Sequence, residues 1–124
     1  MNSRNIKKLV ATSFLLLAGL TSLHAHAHGK LESSSPKAAE VLDQSPKEIR
    51  IQFNENLEET FSKIQLLDAK KAALALDKSI VDKTNPKIIS VAVPNLSAGD
   101  YQVQWTAMTQ DGHKTKGTFS FKVK

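Results

Sequence analysis

Apolar and polar residues alternate along several short stretches of this 124-residue chain. In the stretch 48–53 every second residue is apolar, and the same spacing recurs in 101–105 and 117–123. Successive side chains of a strand point to opposite faces, so this spacing predicts strands with one buried face and one face in water. Less regular patterns predict further strands at 29–32, 62–67 and 88–93.

The alternation within these strands also predicts which individual side chains are buried. Trp105 and the phenylalanines share the phase of their apolar neighbours, so we expect them in the core and not in a cofactor site. We expect Gly117 to open the last strand. The stretch 96–101 resembles a corner that leads into the strand 101–105.

The region 68–83 has two interpretations. Its segment 69–76 is rich in alanine, leucine and lysine, which favours a short helix. The same small residues also suit a hairpin that lines a sheet. Because the flanking segments are all predicted strands, we favour strand pieces here.

These patterns together predict an all-β fold. Seven short strands in about 100 residues, separated by turn signals, are typical of a Greek-key β-sandwich of immunoglobulin-like type. The chain has no internal repeat and no long linker that would divide it further.

The first 27 residues have the three parts of a secretory signal peptide. An apolar run at 14–20 follows a basic start, and small residues stand at Ala25 and Ala27. We therefore expect cleavage after Ala27, which makes residues 1–27 the signal peptide and residues 28–124 the mature domain. Cleavage after Ala25 and an uncleaved N-terminal anchor are the alternatives, and mass spectrometry of the exported protein separates them.

Composition narrows the function classes. The formal net charge is +5, but three of the 17 basic residues and none of the 12 acidic ones lie in residues 1–27, which leaves +2 for the mature domain. That balance, without basic runs interleaved with aromatics, argues against nucleic acid as a partner. Cysteine is absent, so any metal site must use nitrogen, oxygen or thioether ligands.

Candidate chemistry lies at three places. Cleavage after Ala27 would give His28 a free α-amino group beside its imidazole, and a second histidine stands in Asp111-Gly112-His113. Glu55 follows the predicted strand 48–53. We assume that consecutive strands run antiparallel and that the region 68–83 contributes one strand from one end of the sandwich to the other. These three places then lie at the same end of the sandwich.

Two imidazoles, an amine and a carboxylate suit tetragonal Cu(II), although tetrahedral Zn²⁺ accepts the same donors. The spacing of Asp111 and His113 lets both side chains point into one loop mouth, and Gly112 permits a turn with positive φ. The simpler interpretation is that Asp111-Gly112 only forms a hairpin turn and that Glu55 and His113 are solvated loop residues. The histidines would then be incidental to a structural sandwich.

The residues that carry these patterns resemble the CopC copper-resistance family and its exported YobA-type relatives. The resemblance spans essentially the whole of 28–124. The matching motifs, in chain order, are His28-x-x-Leu31-x-Ser33-Ser34-x-Pro36, Phe53-x-Glu55-Asn56-Leu57, Gly99-x-Tyr101-x-Val103-x-Trp105, Asp111-x-His113 and Gly117-x-Phe119-x-Phe121-x-Val123.

The resemblance implies a periplasmic, cupredoxin-like β-sandwich that binds one Cu(II). By position, His28 would supply its amine and a ring nitrogen, His113 an imidazole and Asp111 a carboxylate oxygen. Glu55 falls on a second acidic position that lies near the metal in some members. The Cu(I) site of other members uses a methionine-rich loop, whereas residues 66–79 here contain neither methionine nor histidine.

We therefore expect a carrier or buffer of Cu(II) in copper homeostasis or resistance, and not an enzyme. The family suggests an inner-membrane transporter of the CopD type as partner, and we expect the mature chain to be a monomer that does not span a membrane. The alternative from another class is a histidine-brace copper monooxygenase, which would need an exposed aromatic surface for a polymer. With one tyrosine and one tryptophan, both in core phase, the chain offers little such surface.

Overall fold

A computed structural model describes residues 29–124. The predicted signal peptide and His28 lie outside the described residues. Within them the chain forms eight strands and one 3₁₀ turn (Glu59–Phe61): β1 Leu31–Ser35, β2 Val41–Leu42, β3 Glu48–Phe53, β4 Lys63–Leu67, β5 Ile80–Val81, β6 Ile88–Ala92, β7 Gly99–Met108 and β8 Lys114–Val123. The predicted all-β class is confirmed.

The strands form two four-stranded sheets, ordered β1-β3-β6-β5 and β2-β8-β7-β4. The chain passes from one sheet to the other five times, between β1 and β2, β2 and β3, β3 and β4, β4 and β5, and β6 and β7. Such connections between the two sheets are typical of Greek-key sandwiches. The predicted count of seven strands was wrong. The additional strand is β2, whose two residues pair in parallel with the end of β8 and are too few to show any alternation.

The core lies between the two sheets and follows the predicted phase. Ile49, Ile51 and Phe53 of β3 have no exposed surface. Tyr101 and Val103 of β7 face them from the other sheet, and Tyr101 stacks on Phe121 of β8 with ring centroids 5.7 Å apart. The Tyr101 hydroxyl donates a 2.7 Å hydrogen bond to the Ser97 carbonyl, which confirms the predicted corner.

Two predictions need correction, the burial of Phe61 and the position of Gly117 in the last strand. Phe61 is 59% exposed, because it ends the 3₁₀ turn between the sheets and belongs to no strand. Gly117 does not open β8, which begins at Lys114. It lies opposite Trp105, and a Cβ at Gly117 would overlap the indole ring. Trp105 is partly buried and meets Phe53 edge-on at 5.0 Å.

The region 68–83 contains strand pieces, as favoured, and no helix. The Asp68 carboxylate accepts hydrogen bonds from the backbone N–H groups of Lys70 (2.8 Å) and Ala72 (3.0 Å), which closes a turn. Lys71 has a φ of +64°, outside the helical range. These local interactions outweigh the modest helical propensity of the alanines. Across residues 29–124, no helix is long and apolar enough to cross a membrane.

Candidate metal centre

The start of the described chain lies beside the segment that carries Glu55. β1 and β3 are antiparallel, with Leu31 opposite Phe53. Just beyond this pair, the Asn54 N–H donates to the Lys30 carbonyl at 3.0 Å. The Lys30 N–H in turn donates to Asn54 Oδ1 at 2.8 Å. Residue 30 is therefore fixed next to the turn that follows β3.

The hairpin loop between β7 and β8 meets the same turn. Leu57 forms an isolated antiparallel bridge with Thr109. The Gln110 N–H donates to the Asn56 carbonyl at 3.0 Å, and the Glu58 N–H donates to the Met108 carbonyl at 2.8 Å. These contacts bring the loop 109–113 to the end of the sandwich where β1 begins and β3 ends.

Gly29 completes this arrangement from the N-terminal side. The Thr115 hydroxyl donates a 2.9 Å hydrogen bond to the Gly29 carbonyl. Gly29 has a φ of +64°, and a Cβ there would lie only 2.8 Å from Thr115 Oγ1 and 3.5 Å from Thr109 Cγ2. The backbone of Gly29 thus lies against the two threonines that flank the loop.

The loop itself is a tight turn. The Thr109 N–H donates to the His113 carbonyl, and the Gly112 N–H donates to the Thr109 carbonyl, both at 2.9 Å. Gly112 has a φ of +89°, as its sequence position predicted. Asp111-Gly112 is therefore a hairpin turn, and the same turn places Asp111 and His113 side by side.

Asp111 and His113 form a half-exposed acid–imidazole pair. His113 Nδ1 lies 3.0 Å from Asp111 Oδ1, and the two side chains are about equally exposed, at 55% and 50% respectively. The Thr109 hydroxyl also donates a hydrogen bond to Asp111 Oδ1. These bonds, with that from Thr109 contributing most, lower the pKa of Asp111 to about 2. The carboxylate is therefore charged at neutral pH.

Glu55 lies in the turn after β3 and is partly buried, with Oε2 shielded from water. Residues 29–124 include no group of three or more His, Cys, Asp or Glu side chains arranged to hold a metal ion. Of the predicted site residues, the structure thus joins Asp111 to His113 directly and brings the Glu55 segment to the same end. A complete site would need a donor from beyond the described part of the chain.

Two residues of this region were missed by the sequence interpretation, Thr109 and Thr115. Thr109 is 1% exposed although it is polar. A signal for it was available, because Thr109 continues the inward phase of β7, where 101, 103, 105 and 107 face the core. A polar residue at an inward position near a strand end requires a hydrogen-bond partner, and here the partner is the loop.

Comparison with known proteins identifies the family of this chain. A family model described as the CopC domain matches residues 31–124. Copper resistance protein C of Pseudomonas syringae pv. tomato is 37% identical over 123 residues, which cover 91% of this chain and 96% of that protein. The crystal structure of CopC from Methylosinus trichosporium OB3b superposes with a TM-score of 0.74 at 27% identity, covering 77% of this chain and 93% of that one.

A longer relative is also similar. Copper transport protein CutJ of Bacillus subtilis strain 168 is 31% identical over 121 residues, which cover 97% of this chain. The same alignment covers 22% of CutJ, so this chain spans about a fifth of the length of that relative.

Proposed function

The chain belongs to the CopC family, and from this premise we propose that it is an exported protein that binds one Cu(II) ion per chain. Its role would be that of a carrier or buffer in copper homeostasis and resistance. The proposed ligands are the α-amino group and imidazole of His28, the imidazole of His113 and the carboxylate of Asp111. Glu55 would lie close to the metal as an axial or outer group.

The observation that carries this proposal is the position of Gly29. Its carbonyl is held by Thr115, and Thr115 follows the loop that presents Asp111 and His113. We propose that the residue before Gly29, whose Cα is about 3.8 Å from that of Gly29, supplies the remaining donors at this end of the sandwich. That residue is His28.

The donor chemistry fits copper. An α-amino group has an ordinary pKa near 8, so a metal displaces its proton readily at neutral pH. Among divalent ions of the first transition row, a nitrogen and oxygen site binds Cu²⁺ most tightly. Zn²⁺ is the competitor that these donors would also accept.

A separate Cu(I) site is not part of the proposal. Such sites use soft sulfur ligands. The chain has no cysteine and only two methionines, the initiator and Met108, which occupy no common cluster in sequence. We therefore propose that the protein binds copper as Cu(II) alone.

The family suggests how the copper would be passed on. We propose residues 1–27 as a cleaved signal peptide, a periplasmic location and an inner-membrane transporter of the CopD type as recipient. The similarity to one part of a much longer relative, named as a copper transport protein, supports a role in transport. We propose no enzymatic activity. Tyr101 is buried and Trp105 packs on Phe53, which leaves Phe61 as the one largely exposed aromatic side chain within residues 29–124 and little aromatic surface for a polymer.

Copper titration of the monomeric protein that begins at His28 tests this function. We expect one equivalent of Cu(II) to bind tightly, with a spin-resonance spectrum of mixed nitrogen and oxygen ligation in a tetragonal field. Competition against Zn²⁺ should leave copper bound. Absence of tight binding, or a second equivalent of equal affinity, would contradict the proposal.

A further inference from the structure

We propose that Thr109 and Thr115 are positioning residues that pre-arrange the two halves of the copper site, an inference that rests on the proposed function. Neither threonine is proposed to touch the metal. Thr109 would fix the carboxylate of the loop, and Thr115 would fix the backbone that leads to the terminal histidine.

Thr109 organises the loop through one buried hydroxyl. The hydroxyl donates to Asp111 Oδ1 and accepts the His113 backbone N–H at 3.2 Å. Its oxygen also lies 3.3 Å from the His113 carbonyl, and its own N–H donates to that carbonyl at 2.9 Å. Because a hydroxyl has a single proton, the closer acceptor, Asp111, receives it. One buried side chain therefore holds the Asp111 carboxylate and the His113 backbone, and the carboxylate in turn contacts His113 Nδ1.

Thr115 acts on the other half. It lies opposite Ala107 in the β7–β8 ladder, next to the core face, and its hydroxyl reaches the Gly29 carbonyl. The chain between these two residues spans the whole domain, so the bond closes the end of the sandwich. With a side chain excluded at Gly29, the backbone lies directly on the two threonines. The backbone of Gly29 is thereby held in place.

Thr109 is buried and Thr115 is partly buried, so both hydroxyls are at least in part removed from water. A hydroxyl removed from water costs free energy unless it is hydrogen-bonded, and here each bond goes to a segment that carries a proposed ligand. Outer hydrogen bonds of this kind orient ligands, and their loss typically weakens metal binding by about 10–100-fold. Positioning of the ligands accounts for both contacts at once.

The test uses valine and serine at each position. Valine has the shape of threonine without the hydroxyl, and serine keeps the hydroxyl. We expect Thr109→Val and Thr115→Val each to raise the Cu(II) dissociation constant by about 10–100-fold and to alter the spin-resonance spectrum. Thr109→Ser and Thr115→Ser should retain the wild-type spectrum. Thr118→Val makes the same chemical change on the outer face of β8 and should bind copper normally.

The readouts separate positioning from stability. Thermal unfolding of each copper-free variant establishes that it is folded at the temperature of the titration. A purely structural role would lower the unfolding temperature and leave the copper spectrum unchanged. If both valine variants bind copper with wild-type affinity and spectrum, the inference is wrong.

A ligand variant separates this inference from the function on which it rests. His113→Ala removes a proposed ligand outright. If wild type binds copper and His113→Ala does not, while both valine variants bind normally, the function stands and only the positioning role fails. If His113→Ala binds as wild type does, the proposed site fails and the positioning role fails with it.

Discussion

The hydroxyl of Thr115 and the carbonyl of Gly29 are joined by a 2.9 Å hydrogen bond across 86 positions of the chain. Thr115 is the second residue of β8 and Gly29 precedes β1, so the bond ties the two sheets together at one end. It also places the start of the described chain against the hairpin that carries Asp111 and His113. The proposed copper site depends on this hydrogen bond.

Replacement of Gly29 by alanine should disturb the site more than the fold. A positive φ costs an L-residue about 1–2 kcal/mol, and the new Cβ would crowd Thr115. Because Gly29 precedes the first strand, the chain can relieve the strain by moving away from the threonines. We expect Gly29→Ala to weaken Cu(II) binding at least about tenfold with little change in unfolding temperature, since ligand orientation is lost.

Gly99→Ala is the matched control for that experiment. Gly99 also has a positive φ, +152°, but a Cβ there would meet nothing within 4 Å, and the residue lies at the opposite end of β7. Copper titration of both variants separates strain in general from displacement of the N-terminal backbone. Equal affinities in Gly29→Ala and wild type would show that Gly29 has no part in the site.

Replacement of Gly117 by alanine should destabilise the core without affecting copper. The added Cβ overlaps the indole of Trp105, and overpacking typically costs about 1–3 kcal/mol. Trp105 is the only tryptophan, so its fluorescence reports both the local change and global unfolding in urea. Thr118→Ala, the neighbouring exposed position, is the control. Unchanged stability of Gly117→Ala would show that Trp105 moves aside freely.

Acid should weaken the copper-free fold in part through Asp111. Its pKa is about 2 in the folded chain, against about 3.9 for an unperturbed aspartate. As pH falls, the unfolded chain therefore takes up the proton first, and the stability that Asp111 contributes above pH 4 is lost as the pH approaches 2. Asp82, whose pKa is lowered mainly by the Thr84 hydroxyl, acts in the same direction.

Asp111→Asn tests this linkage. We expect its urea midpoint to fall less than that of wild type between pH 5 and pH 2, because the asparagine side chain does not titrate there. Asp77→Asn, which changes an exposed carboxylate near β5, is the matched control. Parallel curves for wild type and Asp111→Asn would contradict the assigned hydrogen bonds to the carboxylate.

Much of the fold was predictable because burial on one face leaves a period of two in the sequence. That pattern identified β3 and the parts of β7 and β8 at 101–105 and 117–123. It could not identify β2, whose two residues are a strand only because β8 lies beside them. It also missed the start of β8 at Lys114, where polar residues pair with the end of β7. Phe61 was wrongly predicted to lie in the core, because the alternation of apolar and polar residues indicates a buried face only within a strand.

The site was predictable to a smaller extent. Residues 111 and 113 are two positions apart around a glycine, so their proximity follows from local geometry. The joining of this loop to the turn 54–58 follows from the topology. The hydrogen bonds of Thr109 and Thr115 do not, since threonine is an ordinary strand residue and its partner depends on where other segments lie.

The most direct test of the proposed function adds one alanine before His28 in the processed protein and compares Cu(II) affinities, with the same alanine added after Lys124 as the control. The extension removes the α-amino group from His28 and leaves every described contact of residues 29–124 in place. We predict a loss of affinity larger than the roughly 10–100-fold expected when a hydrogen bond that orients a ligand is removed, together with a changed spin-resonance spectrum. An extended protein that binds Cu(II) with unchanged affinity and spectrum would contradict the proposed site.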